Sequence, residues 1–273
     1  MSEITKLKET ILKEYPRLTL DDKLKFSCHC GLKCFNSCCA DVNIFLTPYD
    51  VMRMRKHLGI SSQEFIDEYT LLPIDRNQKY PVVVLKMSET ETKRCPFVDE
   101  TKGCTIYEDR PWACRMYPVG LASPKESEAN AEEEFYFIME EMPCEGFGEE
   151  QTWTIRQWIE NQGIEPYNEM GTHYKDLVMH EKMENIPEFD PKKIEMFFMA
   201  CYNLDTFRRF VFESRFLQKF EVDEDTQKRI RERDEELLKF GFEWLKFSLF
   251  GLPTMKIKSY VLEKKKIEMG LAV

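Results

Sequence analysis

Cys28-His29-Cys30-Gly31-Leu32-Lys33-Cys34-Phe35-Asn36-Ser37-Cys38-Cys39 puts five cysteines into twelve residues. Packing does not account for such a run. A buried structural cysteine behaves as a small hydrophobe, and these stand among Lys, Asn and Ser. Thiolates hold soft or borderline metals. Short spacing lets one loop deliver several sulfurs to one point without a large closure entropy. Working outward, the next cysteines fall in Cys95-Pro96-Phe97, Cys104-Thr105-Ile106-Tyr107, Cys114-Arg115 and Cys144-Glu145-Gly146-Phe147-Gly148. Cys201 stands apart. A disulfide framework is the weaker reading: Met1-Ser2-Glu3-Ile4-Thr5-Lys6 has no secretory pattern, so a reducing, cytoplasmic setting is expected. The neighbours Cys38 and Cys39 also cannot bridge each other without strain.

Structural zinc prefers paired knuckles two to four residues apart, and the spacings here fit that only in part. An iron–sulfur cluster takes four thiolates with more variable spacing. The reading is therefore an iron–sulfur centre, 4Fe-4S in type, with Zn2+ as the alternative.

The bulk composition agrees with a folded, helical protein. The chain is 42% hydrophobic, and its 11 Gly and 13 Pro among 273 residues suit helices better than a β-sandwich. A net charge of -10 argues against a phosphate-backbone partner, so no nucleic acid is expected. No stretch approaches the roughly 20 apolar residues of a membrane span. A glycine-rich phosphate loop, a dinucleotide fingerprint and a Ser/His/Asp constellation are all missing from the pattern.

Periodicity predicts a short helix over 3–14, a strand over Val42–Leu46, and a helix opened by Thr47-Pro48 and closed at Gly59. Ser61 with Glu64 is a capping box that opens a second helix over 62–70. Strands are expected at Val82–Leu85 and Phe135–Met139. Residues 88–120 read as irregular, and 122–134 as a polar loop. Thr154 with Gln157 caps another helix that Gly163 ends. Asp190-Pro191 starts a further one, and a single long helix is expected over 224–250. The expected fold is α+β and predominantly helical, with a cysteine-rich metal-binding domain over 1–150 and a helical region over 151–273.

Taken together, Leu46-Thr47-Pro48-Tyr49-Asp50, Cys95-Pro96-Phe97, Cys104-Thr105-Ile106-Tyr107-Glu108-Asp109-Arg110-Pro111, Cys114-Arg115-Met116-Tyr117-Pro118 and Cys144-x-Gly146-x-Gly148 resemble the YkgJ-like cysteine-cluster family. That family is described as zinc- or iron-chelating and includes relatives of the flagellin lysine N-methylase. The resemblance covers roughly 26–148. Its usual opening is C-x2-C-x2-C-C, whereas the gaps here are longer and Cys30 is an extra cysteine. With Cys28 chosen over Cys30, because Phe26-x-Cys28 matches the family's lead-in, the resemblance implies Cys28, Cys34, Cys38, Cys39, Cys95, Cys104, Cys114 and Cys144 as metal ligands. Eight thiolates would fill two four-coordinate sites, or one cluster with supporting thiols.

Other residues have plainer readings beside the functional ones. Arg110 and Arg115 would offset an anionic thiolate site, or would form ordinary ion pairs with Glu108, Asp109 or Asp50. Gly146 and Gly148 would allow close backbone approach, or simply turn. His29 is expected to face solvent, Cys201 to be core, and Phe207, Phe210, Phe212 and Phe216 to pack. The expected function is a redox or accessory role beside an unidentified protein partner. The alternatives are an S-adenosylmethionine-dependent protein-lysine N-methylase-like enzyme, by analogy alone, and a zinc-stabilised interaction module.

Overall fold

The computed structural model describes residues 15–73, 80–122, 134–140, 143–184, 186 and 190–268. The fold is α+β and predominantly helical. The helix expected over 3–14 and most of the loop at 122–134 lie outside the described residues, as do the side chains of Lys264, Lys265 and Lys266. Among the described residues no helix is long and apolar enough to cross a membrane. The chain divides into two compact units: Met1–Leu46 with Val84–Glu169, and Thr47–Val83 with Met170–Val273.

The first unit is built from short antiparallel pairs. Lys23–Lys25 pairs with Thr152–Thr154, with Leu24 opposite Trp153. Val119–Ala122 pairs with Phe135–Ile138, and Val98–Asp99 with Gly103–Cys104. Thr154 and Gln157 form the expected capping box, which opens the helix Ile155–Asn161. Gly163 follows with φ 60, a left-handed conformation that costs glycine no Cβ clash. Leu24, Phe26, Met116, Val119, Ile155, Trp158, Ile159 and Ile164 make the core. Each such side chain contributes about 1.5–3 kcal/mol by leaving water. Two indoles fix this core to the cysteine segments. Trp153 Nε1 donates to the Phe26 carbonyl at 2.9 Å, two residues before Cys28, and Trp158 Nε1 donates to that of Met116 at 3.0 Å, two residues after Cys114.

In the second unit Thr47 caps the helix Pro48–Leu58, and Ser61 caps Ser62–Tyr69, both through complete capping boxes. Asp50 is fully buried, and its carboxylate closes the first box by accepting from the Thr47 amide and hydroxyl at 2.7 and 2.8 Å. The helices Pro191–Cys201, Leu204–Glu213 and Asp234–Phe250 enclose an aromatic cluster. There Phe207, Phe210 and Phe216 lie 5.1–6.4 Å from Phe240 or Trp244, ring centre to ring centre. Phe212 is covered by the Arg231 guanidinium, 3.9 Å from its centre. Cys201 is fully buried in this unit.

Three local expectations change. The strand over Val42–Leu46 shortens to Phe45–Leu46, and Asp41 just before the expected span has a φ of 49. Residues 88–120 are not irregular throughout. They hold a hairpin, a 3-10 turn at Tyr107–Asp109 and the helix Trp112–Met116, each too short to carry a periodic pattern. The helix over 224–250 is two helices, broken where Arg233 is extended at φ -123 and ψ 121. The break presents Asp234 to Arg55 and Arg208, and those ion pairs outweigh the helical periodicity.

Candidate metal centre

The first cysteine segment is a chain of tight turns. Phe35 N–H donates to Leu32 O at 3.1 Å, Ser37 N–H to Cys34 O at 2.9 Å, and Cys39 N–H to Asn36 O at 3.1 Å. The segment ends in a 3-10 turn, Ser37–Cys39. Asn36 stands before it at φ 66, a region that Asn enters more readily than most residues. Its buried amide donates to Asp99 O at 3.3 Å. Phe35 lies over Gly103, where an added Cβ would come within 3.0 Å of its ring.

One side of this segment is zipped to the Cys144 stretch. Phe26 N–H donates to Gln151 O at 2.9 Å and Ser27 N–H to Gly146 O at 3.1 Å. The Lys33 amide donates to Glu145 Oε2 at 2.8 Å, and the Glu145 amide donates to Cys34 Sγ at 3.3 Å. Gly146 is required for this approach, since a Cβ there would sit 2.7 Å from Ser27 O. Phe26 packs edge-on against Phe147 and Tyr117.

The other side is joined to the hairpin. Cys95 N–H donates to Cys39 O at 2.8 Å, and Ala40 bridges Arg94. Val98 N–H donates to Cys95 O at 3.2 Å, Thr105 N–H to Phe97 O at 2.8 Å, and Val98 faces Cys104 across the hairpin. Cys114 comes from the next helix, Trp112–Met116. Arg115 anchors that helix by donating to the carbonyls of Glu108, Arg110 (3.2 Å) and Gln162 (2.6 Å). Arg110 donates to Tyr107 O at 2.5 Å and to Gln162 Oε1, with its guanidinium 3.7 Å from the Tyr107 ring centre. These hydrogen bonds all go to neutral oxygens, so they leave the positive charge in place beside the thiols.

The electrostatics follow the same geometry. Burial pushes the Cys28 thiol up to about 11, with Cys38, Cys144 and Cys34 adding to the shift. The Cys39 thiol hydrogen-bonds that of Cys38 and holds it down at about 7. Cys39 itself is raised, by that bond first, then by burial and by Cys38, Cys114 and Cys95. Burial raises Cys95, with Cys104 adding, while Arg110 and Arg115 act against the burial of Cys104. Burial also raises Cys144, whose sulfur lies beside Cys34 and the Tyr117 hydroxyl. That hydroxyl is shielded from solvent and makes no close hydrogen bond. The Cys144 sulfur lies near it, and burial raises the phenol, with Cys144, Cys38 and Cys28 adding to the shift.

All eight cysteines named from the sequence therefore lie in the first unit, and their segments meet. Cys30 is exposed, as are Cys28, Cys38 and Cys114. His29 uses both ring nitrogens elsewhere: Nδ1 accepts from the Gly31 amide at 3.1 Å, and Nε2 lies 3.3 Å from Glu149. Among the described residues no three Cys, His, Asp or Glu side chains are drawn tightly enough together to close a single-ion site. Sequence reasoning missed Tyr117 and Asn36. Tyr117 stood in the quoted motif without a role, and the signal for Asn36 was an Asn within a cysteine turn.

The candidate donors are all cysteine sulfurs, with an amide N–H on Cys34 Sγ and two guanidiniums near Cys104. That chemistry suits zinc or iron and not a hard cation, which would need oxygen ligands. No curated protein and no solved structure gives a significant match to the chain. A family model does, over residues 28–151, and its description is "Putative zinc- or iron-chelating domain". That segment contains all eight of these thiols, and through it the chain is similar to the CxxCxxCC family.

Proposed function

We propose that this protein holds an iron–sulfur centre on Cys28, Cys34, Cys38, Cys39, Cys95, Cys104, Cys114 and Cys144, and uses it in a redox or accessory role beside a protein partner. The observation that carries the reading is the meeting of three cysteine segments in one unit, with charge-offsetting groups at the sulfurs. The Glu145 amide at Cys34 Sγ and the guanidiniums beside Cys104 are contacts of the kind that tune cluster potentials. Spacing supports iron–sulfur over a lone zinc ion. Four sulfurs at about 2.3 Å from one zinc would lie about 3.8 Å from each other. A cluster instead interposes iron and sulfide between its ligands and accepts thiols at more variable spacing.

The test is anaerobic purification followed by iron, zinc and acid-labile sulfide analysis with an absorption spectrum. Iron and sulfide in equal amounts, with a charge-transfer band, are expected. Zinc at full occupancy without sulfide would replace this reading with a structural zinc module. A colourless, metal-free and still folded chain would end it.

A further inference from the structure

We infer that the eight thiols form two separate centres divided at the Cys38–Cys39 peptide: Cys28, Cys34, Cys38 and Cys144 hold one, and Cys39, Cys95, Cys104 and Cys114 hold the other. The inference rests on the metal-binding reading above and adds how the thiols are shared out. The backbone makes the division. Hydrogen bonds from Ser27 to Gly146, from Lys33 to Glu145 and from Glu145 to Cys34 Sγ tie the Cys28–Cys34 stretch to Cys144 alone. The bond from Cys95 to Cys39, the Ala40–Arg94 bridge and the Val98–Cys104 pair tie Cys39 to the hairpin. Arg115, through Glu108 O and Arg110 O, ties the Cys114 helix to the turn that directly follows Cys104, and Cys114 lies within electrostatic reach of Cys39.

The 3-10 turn at Ser37–Cys39 is the joint between the two sets. The two thiols hydrogen-bond each other at this joint, and beyond that contact each has different neighbours. Cys38 accordingly lies within electrostatic reach of Cys28, and Cys39 within reach of Cys95 and Cys114. Apart from the Cys38–Cys39 contact, the thiol neighbours of Cys28, Cys39, Cys95 and Cys144 all belong to the same set as the residue they act on. Four thiolates are the ligand count of a cubane cluster, so each set has the number that one cluster needs.

The two surroundings differ. Arg110 and Arg115 bring positive charge to the Cys39 set, whereas the Cys28 set has the Tyr117 hydroxyl. The centres are therefore inequivalent, and the arginine-flanked one is the more easily reduced by an external reductant such as dithionite.

The full-length protein, reconstituted to saturation without oxygen, gives the test. About eight iron and eight sulfide per chain are expected for two cubane clusters. The double variants Cys34→Ser/Cys144→Ser and Cys95→Ser/Cys104→Ser should each lose half the iron, and each should keep one of two distinct paramagnetic signals after reduction. Loss of all iron from a variant that stays folded, or retention of the full load, overturns the division. Should a variant fail to fold, the wild-type count decides: about four iron at saturation means one shared centre. No metal in the wild type would instead overturn the metal-binding reading itself.

Discussion

The Cys95 amide donates to the Cys39 carbonyl at 2.8 Å, joining two cysteines that are far apart in sequence. This bond belongs to the backbone, so it needs no metal to form. The main chain itself thus sets the first cysteine segment beside the hairpin. Metal binding then has to fix side-chain rotamers and release thiol protons, but does not have to close long loops.

The Gly146 contact yields the first prediction. A methyl group at this position would sit 2.7 Å from Ser27 O and 2.8 Å from the Phe26 ring. Gly146→Ala should destabilise the fold by about 1–3 kcal/mol through overpacking. It should also displace Cys144 from Cys34 and lower the bound metal. Urea denaturation and metal analysis measure the two effects, and an unaltered midpoint with full metal would show that the turn yields freely.

Arg115 supports a prediction about geometry. It is buried, and its guanidinium satisfies three carbonyls at once. A lysine keeps the charge but cannot reproduce the fork. Arg115→Lys should therefore cost about 1–3 kcal/mol in chemical denaturation, because buried carbonyls lose their donors. A loss as small as that of a surface substitution would mean that the carbonyls find other partners.

Asp205 supports a prediction about pH. Burial alone would raise its carboxyl, but the Ser62 amide, 2.7 Å from Oδ2, together with Arg55 and Arg208, outweighs burial and holds it below the ordinary value. A carboxylate depressed in the folded state contributes stability above its unfolded value of about 3.9. That contribution is lost as pH falls through the folded value. The stability advantage of wild type over Asp205→Asn should thus be full at pH 6 and shrink toward pH 3. An advantage that stays constant across this range in denaturation curves would show that Asp205 does not couple folding to protons.

The sequence was most legible where one residue type has one physical use. Thr47 with Asp50, Ser61 with Glu64, and Thr154 with Gln157 each announce a helix start, because a side-chain oxygen must satisfy orphan amides. The cysteines were legible as a set, since nothing else explains their density. Which segments lie beside which was not, because that depends on pairings between segments 50 or more residues apart, such as Cys39 with Cys95. The break at Arg233 was hidden for a similar reason. Local periodicity favours one helix, and only the distant Arg55 and the neighbouring Arg208 reward the turn that exposes Asp234. The short elements between 98 and 122 offered too few residues for any period to show.

Tyr117 separates structural from electronic roles at the Cys28 set. Its hydroxyl is buried beside Cys144 and makes no close hydrogen bond. Removing a hydroxyl with no close partner costs little, so Tyr117→Phe should change stability by no more than about 0.5 kcal/mol. The same change removes a dipole next to the Cys34 and Cys144 sulfurs. It should therefore shift the potential or paramagnetic signal of one centre and leave the other as it was, whereas Arg110→Gln should act on the opposite one. Redox titration of both variants measures this. If both substitutions move the same signal, the phenol and the guanidinium share one centre, and the two environments are not distinct.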